Sequence, residues 1–453
     1  MSRIPVILIF DVGKTNKKLL LFNQHYELLH EESIQFHETK DEDGFHCENL
    51  DSLSEWMLSS YQTWKKSNEF EIKAVNFSAY GASFVLIDQS GKPVFPLYNY
   101  LKPISQKILD LFYQKYGGEQ KFAVETASPV LGSLNSGLQL FRLKMERIEA
   151  FQKVTYALHL PQYLSYLITQ EVSSDMTSIG CHTALWDFQK NKYHDWVARE
   201  NILEKLAPVE TSDIFSSVEE GRVVVGRGIH DSSAALIPYL RSIHEPFLLI
   251  STGTWCISLN PFNDSPITKD ELEKDCLLYI SYQGKPVKAS RLFAGNEHEL
   301  QVKRLADYFQ VDIEKFKSIG FDPDLIEKLN TVEDNFEIDF NPHEFLFSKR
   351  RLDQFENVEL AYHQLMMDIV NMQVASTKLV LKHSTLKNIF VDGGFSNNDL
   401  YLQLLAIKMR MYNVYTAKIA QASALGAAIA IHDSWNPTPI NSELIKIKQI
   451  HPI

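Results

Sequence analysis

Residues 223–236, with the sequence VVVGRGIHDSSAAL, lie near the middle of the 453-residue chain. A short β-branched run ends in a Gly-x-Gly turn, which a carboxylate and a series of small residues follow. This order predicts a strand, a tight turn and the start of a helix, with Asp231 exposed where the turn ends. Two interpretations of Asp231 stay open: an aspartate that caps the helix, and a carboxylate that takes a proton from a hydroxyl.

The composition is that of a soluble globular protein with two or three domains. Apolar residues make up 45% of the 453 residues, and the net charge of -12 without a block of Lys or Arg argues against nucleic-acid binding. No apolar run approaches the roughly 20 residues of a membrane helix. The four cysteines lack the paired spacing of a zinc site, so we expect reduced thiols in a cytoplasmic protein: Cys47, Cys181, Cys256 and Cys276.

The amino terminus predicts a β-hairpin that could hold a polyphosphate. Residues 6–10 form an apolar strand, residues 11–17 a turn, and residues 18–22 the return strand. Asp11 stands at the end of the first strand, before Gly, Thr, Asn and several lysines. Such a turn can present N–H groups and ammonium groups to phosphates while the carboxylate holds a divalent ion. The alternative is an ordinary solvated turn.

A similar hairpin opens the second half of the chain. Residues 247–250 form an apolar strand, residues 251–254 a Gly/Thr turn, and residues 255–259 the return strand. Two such openings suggest a duplicated domain, and a cleft between like domains is a common ligand site. An elbow at residues 79–83 follows another strand; its Ser83 is either a substrate contact or an ordinary turn residue.

The last part of the chain predicts a third strand-turn segment. A strand at residues 388–391 leads into the Gly-Gly turn of residues 392–397, which lets backbone approach a ligand or simply connects two elements tightly. The small-residue helix at residues 422–430 is expected to pack against that turn. Residues 299–358 carry no motif with recognisable chemistry, and residues 359–382 predict a core helix.

Four of these motifs, in this order, resemble those of the FGGY family of carbohydrate kinases. DVGKTNKK (residues 11–18) is similar to its first phosphate motif, and GIHDSSAA (residues 228–235) to the stretch with its catalytic aspartate. STGTW (residues 251–255) is similar to its second phosphate motif, and DGGFSN (residues 392–397) to its adenosine motif.

The resemblance implies an α/β fold of two ribonuclease-H-like domains, of the actin and hexokinase type, that flank a central cleft. Residues 1–240 would bind the sugar and carry the catalytic aspartate at their end. Residues 241–453 would bind the nucleotide.

Within the family, the rhamnulokinase branch is most similar, through GASFVLIDQ (residues 81–89) and LPQYLSY (residues 160–166). That branch implies a 6-deoxyketohexose such as L-rhamnulose as the acceptor. Two departures lie on the presumed sugar side: Ser83 replaces the usual Asp, and YNYLK (residues 98–102) replaces a Trp-x-Asp-x-Arg-like segment. Lys14 replaces a small residue and would add positive charge near the nucleotide.

The resemblance also implies a role for individual residues, with ATP and Mg²⁺ as cofactors. Asp231 would accept the proton of the attacking hydroxyl, and Asp11 would hold the metal ion, through water. The expected nucleotide contacts are Gly13, Lys14, Thr15, Lys18, Gly253, Thr254, Gly393, Gly394 and Asn397. The expected substrate contacts are Gly81, Ala82, Ser83, Tyr100, His230 and Asp231.

Three alternatives remain beside this reading. One is a kinase for another ketose or polyol, namely fuculose, xylulose, glycerol or erythritol. Another is an ATPase of the actin or heat-shock type, and the third is a non-catalytic sugar sensor, against which the presence of Asp11 and Asp231 speaks. The expected partners are the sugar and ATP, with no nucleic acid and no membrane; a homodimer is left open.

Overall fold

Each of the two predicted hairpins lies inside a seven-stranded mixed sheet of a computed structural model that describes residues 3–330, 340–441 and 444–452. The chain divides into two compact units. The first unit comprises Met1–Ser242, Leu278–Pro286 and Ala420–Leu444, and the second comprises Ile243–Leu277, Val287–Ile419 and Ile445–Ile453. The predicted division falls between residues 240 and 241. The first unit also contains two later segments, residues 278–286 and 420–444.

The first half of the chain contains fifteen strands and nine α-helices in its described residues. The strands are β1 Ile4–Val12, β2 Lys17–Asn23, β3 Leu28–Ile34, β4 Thr39–Lys40, β5 His46–Cys47, β6 Phe70–Ala79, β7 Phe84–Ile87, β8 Tyr156–His159, β9 Ser174–Asp175, β10 Trp186–Asp187, β11 Lys192–Tyr193, β12 Val209–Glu210, β13 Phe215–Val218, β14 Val223–Gly226 and β15 Ile229–His230. The α-helices are α1 Leu50–Lys65, α2 Gln106–Lys115, α3 Glu119–Glu125, α4 Ser136–Glu146, α5 Ile148–Gln152, α6 Leu160–Thr169, α7 Met176–Ile179, α8 Asp195–Arg199 and α9 Asp231–Ser242.

The second half contains seven further strands and seven further α-helices in its described residues. The strands are β16 Phe247–Thr252, β17 Cys256–Asn260, β18 Cys276–Ile280, β19 Pro286–Leu292, β20 Asn388–Gly393, β21 Asn413–Lys418 and β22 Lys446–Gln449. The α-helices are α10 Lys269–Glu273, α11 Ala294–Phe309, α12 Pro323–Asn330, α13 Val358–Leu381, α14 Asp399–Lys408, α15 Ala422–Ala430 and α16 His432–Trp435. In the described part of the chain, no helix is both long and apolar enough to span a membrane.

The two sheets share one topology. The first has the order β13-β14-β6-β1-β2-β3, and the second has the order β22-β21-β20-β16-β17-β19 with β18 at its end. In each sheet the hairpin strands are antiparallel, and the first hairpin strand is parallel to the strand on its other side. The duplication suggested by the two similar hairpins is therefore present in the strand order.

Strand β1 is the central strand that carries the first motif to its place. Its apolar residues 6–10 are all 0% exposed, because both faces of the sheet are covered. Phe10 stacks on Phe77 of β6, with ring centroids 5.9 Å apart. Burial on both faces explains why the run is continuously apolar instead of alternating.

Helix α15 supports the first unit at a place that the sequence did not predict. We expected this small-residue helix to pack against the Gly-Gly turn of residues 392–397, but its close packing is against α9, β1 and β6. A Cβ at Gly426 would lie 1.8 Å from the carbonyl oxygen of Ala234. Only glycine allows the backbones of α9 and α15 to approach this closely.

Gly426→Ala should therefore lower the free energy of unfolding by about 1–3 kcal/mol, because the added Cβ forces the two helices apart. Urea unfolding of the whole chain measures the effect. Gly320→Ala is the control, since a Cβ there meets nothing within 4 Å. Equal stability of the two variants would contradict the close packing of α9 and α15.

Candidate functional site

Asp11 and Asp231 emerge at the same edge of the first sheet. In the strand register, Asp11 of β1 lies beside Ser78 of β6, and Ile229 of β15 lies on the other side of Ser78. Because β1 and β15 both run parallel to β6, their carboxyl ends meet at one edge, which is where ligands bind in parallel sheets. The structure thus brings the predicted metal and catalytic carboxylates together within the first unit.

The carboxylate of Asp11 is held in an environment that disfavours its charge. Burial, and second to it the negative charge of Asp231, raise the pKa of Asp11 from 3.8 to about 6. The hydroxyl of Ser423 in α15 donates a hydrogen bond of 3.0 Å to its Oδ2 atom. The ammonium of Lys18, the residue opposite Asp11 in the hairpin, acts in the other direction and lowers the pKa.

Asp231 is the first residue of α9. Its Oδ1 atom accepts a hydrogen bond of 2.6 Å from the N–H of the next residue, Ser232, whereas a capping side chain accepts from an N–H two or three residues further on. Its side chain is nevertheless 36% exposed, so a ligand can reach the carboxylate. The role of this carboxylate as proton acceptor stays a prediction.

The hairpin turn at residues 13–16 is closed by a hydrogen bond of 2.9 Å from Gly13 N–H to the Asn16 carbonyl. Thr15 is exposed at its tip. The ammonium of Lys14 lies 2.9 Å from Glu38, and that of Lys18 lies 2.8 Å from the Gln421 side-chain oxygen. The positive charge expected of Lys14 is thus shared with an acidic neighbour.

Gly81 and Ala82 form the predicted elbow on the sugar side. A Cβ at Gly81 would lie 2.8 Å from two ring atoms of His230, so glycine allows this histidine to pack on the backbone. Ala82 has a φ of 57°, a left-handed conformation that is costly for alanine, and Ser83 is buried. Strained backbone of this kind is often found at ligand sites.

His230 and Tyr100 both lie in the surroundings of Asp231. The Nε2 atom of His230 is 3.3 Å from Asp231 Oδ1 and 3.3 Å from the sulfur of Cys181. Burial lowers the pKa of His230, so the imidazole is neutral at pH 7. Burial and then the charge of Asp231 raise the pKa of Tyr100.

Lys102 forms two ion pairs with residues of a neighbouring hairpin. Its ammonium is buried and lies 2.6 Å from Asp41 and 2.7 Å from Asp43. These carboxylates neutralise it and hold it against residues 39–47. The lysine at the end of residues 98–102 therefore holds the neighbouring hairpin of β4 and β5 in place.

The predicted turns of the second half line one cavity of about 650 Å³ in the second unit. Gly253 and Thr254 contribute from one turn, and Gly394 and Asn397 from the other. Gly393 shapes the second turn without lining the cavity; it has a φ of +81°, and a Cβ there would lie 1.8 Å from a backbone oxygen of Thr252.

Thr252 joins the two turns, a role that the sequence did not predict. Its hydroxyl donates to the carbonyl of Asp392 and accepts a hydrogen bond of 2.9 Å from the N–H of Phe395. One side chain thus satisfies backbone groups before and after the Gly-Gly pair. The relative position of the two turns depends on this hydroxyl.

Other residues of the cavity wall were also missed. Residues 317–320 line it, although we expected no chemistry from residues 299–358. His298 lines it as well, and burial lowers its pKa to about 4. Gly295 was detectable in principle, because it stands in the first turn of a helix that closely follows strand β19; a Cβ there would lie 1.8 Å from the Gly253 oxygen.

Among residues 3–330, 340–441 and 444–452, no group of three or more His, Cys, Asp or Glu side chains could hold a metal ion. Mg²⁺ does not require such a group, because it keeps several waters and binds through one or two carboxylates together with substrate phosphates. The carboxylate of Asp11 is partly buried, and its pKa is raised by burial and by the charge of Asp231; such a group fits that mode of binding.

Comparison with known proteins identifies the family. The description "FGGY family of carbohydrate kinases, N-terminal domain" matches residues 6–235, and "Carbohydrate kinase FGGY, C-terminal domain" matches residues 244–439. The chain belongs to the FGGY family of carbohydrate kinases. This confirms the resemblance inferred from the four motifs and the two-domain α/β fold that it implies.

Individual relatives are distant. A curated rhamnulokinase from Halalkalibacterium halodurans is 23% identical over 264 residues, which cover 54% of this chain and 52% of that protein. The match thus spans about half the length of this curated relative. The crystal structure of a carbohydrate kinase from Novosphingobium aromaticivorans has a TM-score of 0.81 at 22% identity, covering 100% of this chain and 95% of that one. A ligand-bound xylulose kinase from Lactobacillus acidophilus has a TM-score of 0.78 at 14% identity, covering 99% and 94%.

Asp11→Asn should raise the melting temperature at pH 7.5, and this gain should shrink as the pH falls to 5. The pKa of Asp11 is higher in the folded chain than its ordinary 3.8, so folding takes up a proton at intermediate pH. That contribution to wild-type stability is present at low pH and is lost as the pH rises through about 6. Thermal melts of both proteins across this range measure the difference.

Asp110→Asn is the matched control, because Asp110 is an exposed residue of α2. Its effect on the melting temperature should be small and should not vary between pH 5 and 7.5. A constant effect of Asp11→Asn over the same range would show that Asp11 does not carry the raised pKa.

Proposed function

We propose that this chain is an ATP-dependent sugar kinase that transfers the γ-phosphoryl group to a hydroxyl of a ketose. The observation that carries the proposal is the pair of carboxylates at one sheet edge, where the charge of Asp231 contributes to the raised pKa of Asp11. Two like charges in one place create a site that favours a cation and a proton donor. Phosphoryl transfer from a metal-bound nucleotide to a hydroxyl supplies both.

Asp231 is the proposed proton acceptor. It is partly exposed, it lies at the start of a rigid helix, and the neutral His230 beside it brings no competing positive charge. As the hydroxyl oxygen of the sugar attacks the γ-phosphorus, its proton passes to the carboxylate of Asp231. General-base assistance of this kind contributes roughly 10²–10⁴-fold to the rate.

Asp11 is the proposed metal contact. Mg²⁺ bound together with ATP would neutralise the charge that develops on the phosphates, and Asp11 would hold it, directly or through water. The exposed turn with Gly13 and Thr15, together with the ammonium groups of Lys14 and Lys18, is proposed to bind phosphate oxygens. The hydrogen bonds of Lys18 to Gln421 and of Ser423 to Asp11 tie both groups to the start of α15.

The cavity of the second unit is the proposed site for the nucleoside part of ATP. Its volume of about 650 Å³ lies in the usual range for small-molecule sites. Gly253, Thr254, Gly394 and Asn397 are proposed contacts, and Gly393 keeps the turn in the conformation that exposes them. The first unit, with the elbow at Gly81, is proposed to bind the sugar.

A 6-deoxyketohexose such as L-rhamnulose is the proposed acceptor. The curated relative that is a rhamnulokinase supports this choice, and so does the sugar side of the site. Ser83 offers no charge there, Lys102 is bound by Asp41 and Asp43, and Tyr80 and Tyr100 contribute rings 6.0 Å apart. A sugar with a methyl group in place of one hydroxyl suits such surroundings better than a more polar one.

Asp231→Asn should lower sugar-dependent ADP release by at least about 10²-fold while ATP binding is kept, because the amide cannot accept the proton. The assay uses Mg²⁺-ATP with rhamnulose, fuculose, xylulose, glycerol and erythritol, and Asp110→Asn is the control. Rhamnulose should give the highest kcat/KM.

Near-normal activity of Asp231→Asn would show that Asp231 is not the proton acceptor. ADP release that no sugar stimulates would favour an ATPase of the actin type.

Thr252→Val should raise the dissociation constant of ATP by about 10-fold, because the two turns lose the hydroxyl that connects them and a buried N–H loses its partner. Thr252→Ser keeps the hydroxyl and should bind ATP nearly as the wild type does. Isothermal titration calorimetry measures both. Equal affinity of the Val and Ser variants would mean that the turns do not depend on this hydroxyl.

A further inference from the structure

The backbone that precedes Asp231 is held by hydrogen bonds to its neighbours, among them those of Asn76 and Gln162 with Gly228. Strand β15 has only two residues, Ile229 and His230, which lie beside Ser78 and Ala79 of β6. On its other side, the N–H of His230 donates a hydrogen bond of 3.0 Å to the hydroxyl of Thr177 in α7. This bond anchors the residue immediately before the proposed proton acceptor.

Asp175 determines which way the hydroxyl of Thr177 points. Thr177 donates its only hydroxyl proton to Asp175 Oδ1, which leaves a lone pair for the N–H of His230. The carboxylate itself is fully buried and accepts further hydrogen bonds from the N–H of Thr177 at 2.9 Å and from the hydroxyl of Ser212 at 2.6 Å. Burial raises its pKa to about 6, so at pH 7 and above it is mainly an acceptor.

We propose that Thr177, oriented by Asp175, is a positioning residue for Asp231. The inference rests on the proposed function, in which Asp231 accepts the proton of the sugar hydroxyl. The chain of contacts runs from the buried carboxylate through the threonine hydroxyl to the backbone of His230, and from there to Asp231. Neither Thr177 nor Asp175 is exposed, so neither touches the sugar, and their effect is on the place of the carboxylate.

Helix α9 is held in place by a close contact that lies three residues after Asp231. Ala234, one turn into the helix, is in close backbone contact with Gly426 of α15. A loss of the bond to Thr177 therefore affects the junction of β15 and α9 more than the helix as a whole. Small misplacements of a reacting group reduce the rate of the chemical step far more than they reduce binding.

The test compares Thr177→Val with Thr177→Ser, using Mg²⁺-ATP and the best sugar of the panel. Thr177→Val has the same shape without the hydroxyl and should lower kcat about 10- to 100-fold, with both KM values within about twofold of the wild type. Thr177→Ser should restore kcat to within about threefold. Thr126→Val is the matched control, because it makes the same change at another buried threonine, whose hydroxyl donates to the carbonyl of Phe122 in α3; its kcat should be unchanged.

A second measurement separates positioning from a general loss of structure. In the Asp231→Asn background, Thr177→Val should cause no further loss of kcat, because Thr177 acts through Asp231. A full additional loss there, or a wild-type kcat for Thr177→Val, overturns the inference. If Thr177→Val does not fold, Thr177→Ala also removes the hydroxyl, with a smaller side chain, and gives the same comparison. Undiminished activity of Asp231→Asn alone would instead overturn the proposed function.

Discussion

The burial of the Asp11 carboxylate at the sheet edge that also carries Asp231 is the constraint around which this part of the first unit is arranged. Folding places two like charges at one sheet edge, and this contributes to the raised pKa of Asp11. Ser423 donates a hydrogen bond to Asp11 and Lys18 supplies a positive charge. Both lower the pKa of Asp11, but it stays above its ordinary value. An arrangement that is unfavourable in the free protein becomes favourable when a cation and a proton donor enter, which is why such sites are typical of catalysis.

Close backbone packing keeps this edge in place. Gly426 lets α15 approach α9 directly behind Asp231, and the same helix carries Ser423 to Asp11. Gly81 lets the ring of His230 lie against the elbow of residues 79–83. The second unit uses the same means at Gly295 and Gly393, where side chains would collide with the carbonyls of the neighbouring turn. In both units, glycines allow the close backbone contacts that determine the positions of the neighbouring polar groups.

Much of the fold and part of the site could be predicted from the sequence, because those features are local. An apolar run, a polar turn and a second apolar run were sufficient to predict the hairpins of β1 with β2 and of β16 with β17. The positions of Asp11 and of Asp231, each at the end of a strand, followed from the same patterns. Thr177, His298 and residues 317–320 were not predicted, since nothing in their immediate sequence differs from that of ordinary helices and loops. Thr252 lies in a predicted turn, but its contacts with Asp392 and Phe395 join distant parts of the sequence.

The sequence alone determined that two similar sheets begin with glycine-containing turns, and it determined which residues stand at the ends of their strands, because turn chemistry and hydrophobic periodicity act over a few residues. Only the tertiary structure decided which of these ends meet. The packing of α15 against α9, the assignment of residues 278–286 and 420–444 to the first unit, and the contact of Thr177 with His230 join residues that are about 50 to 400 positions apart. Such contacts depend on the burial of whole faces and on complementary shape, and no local pattern encodes them.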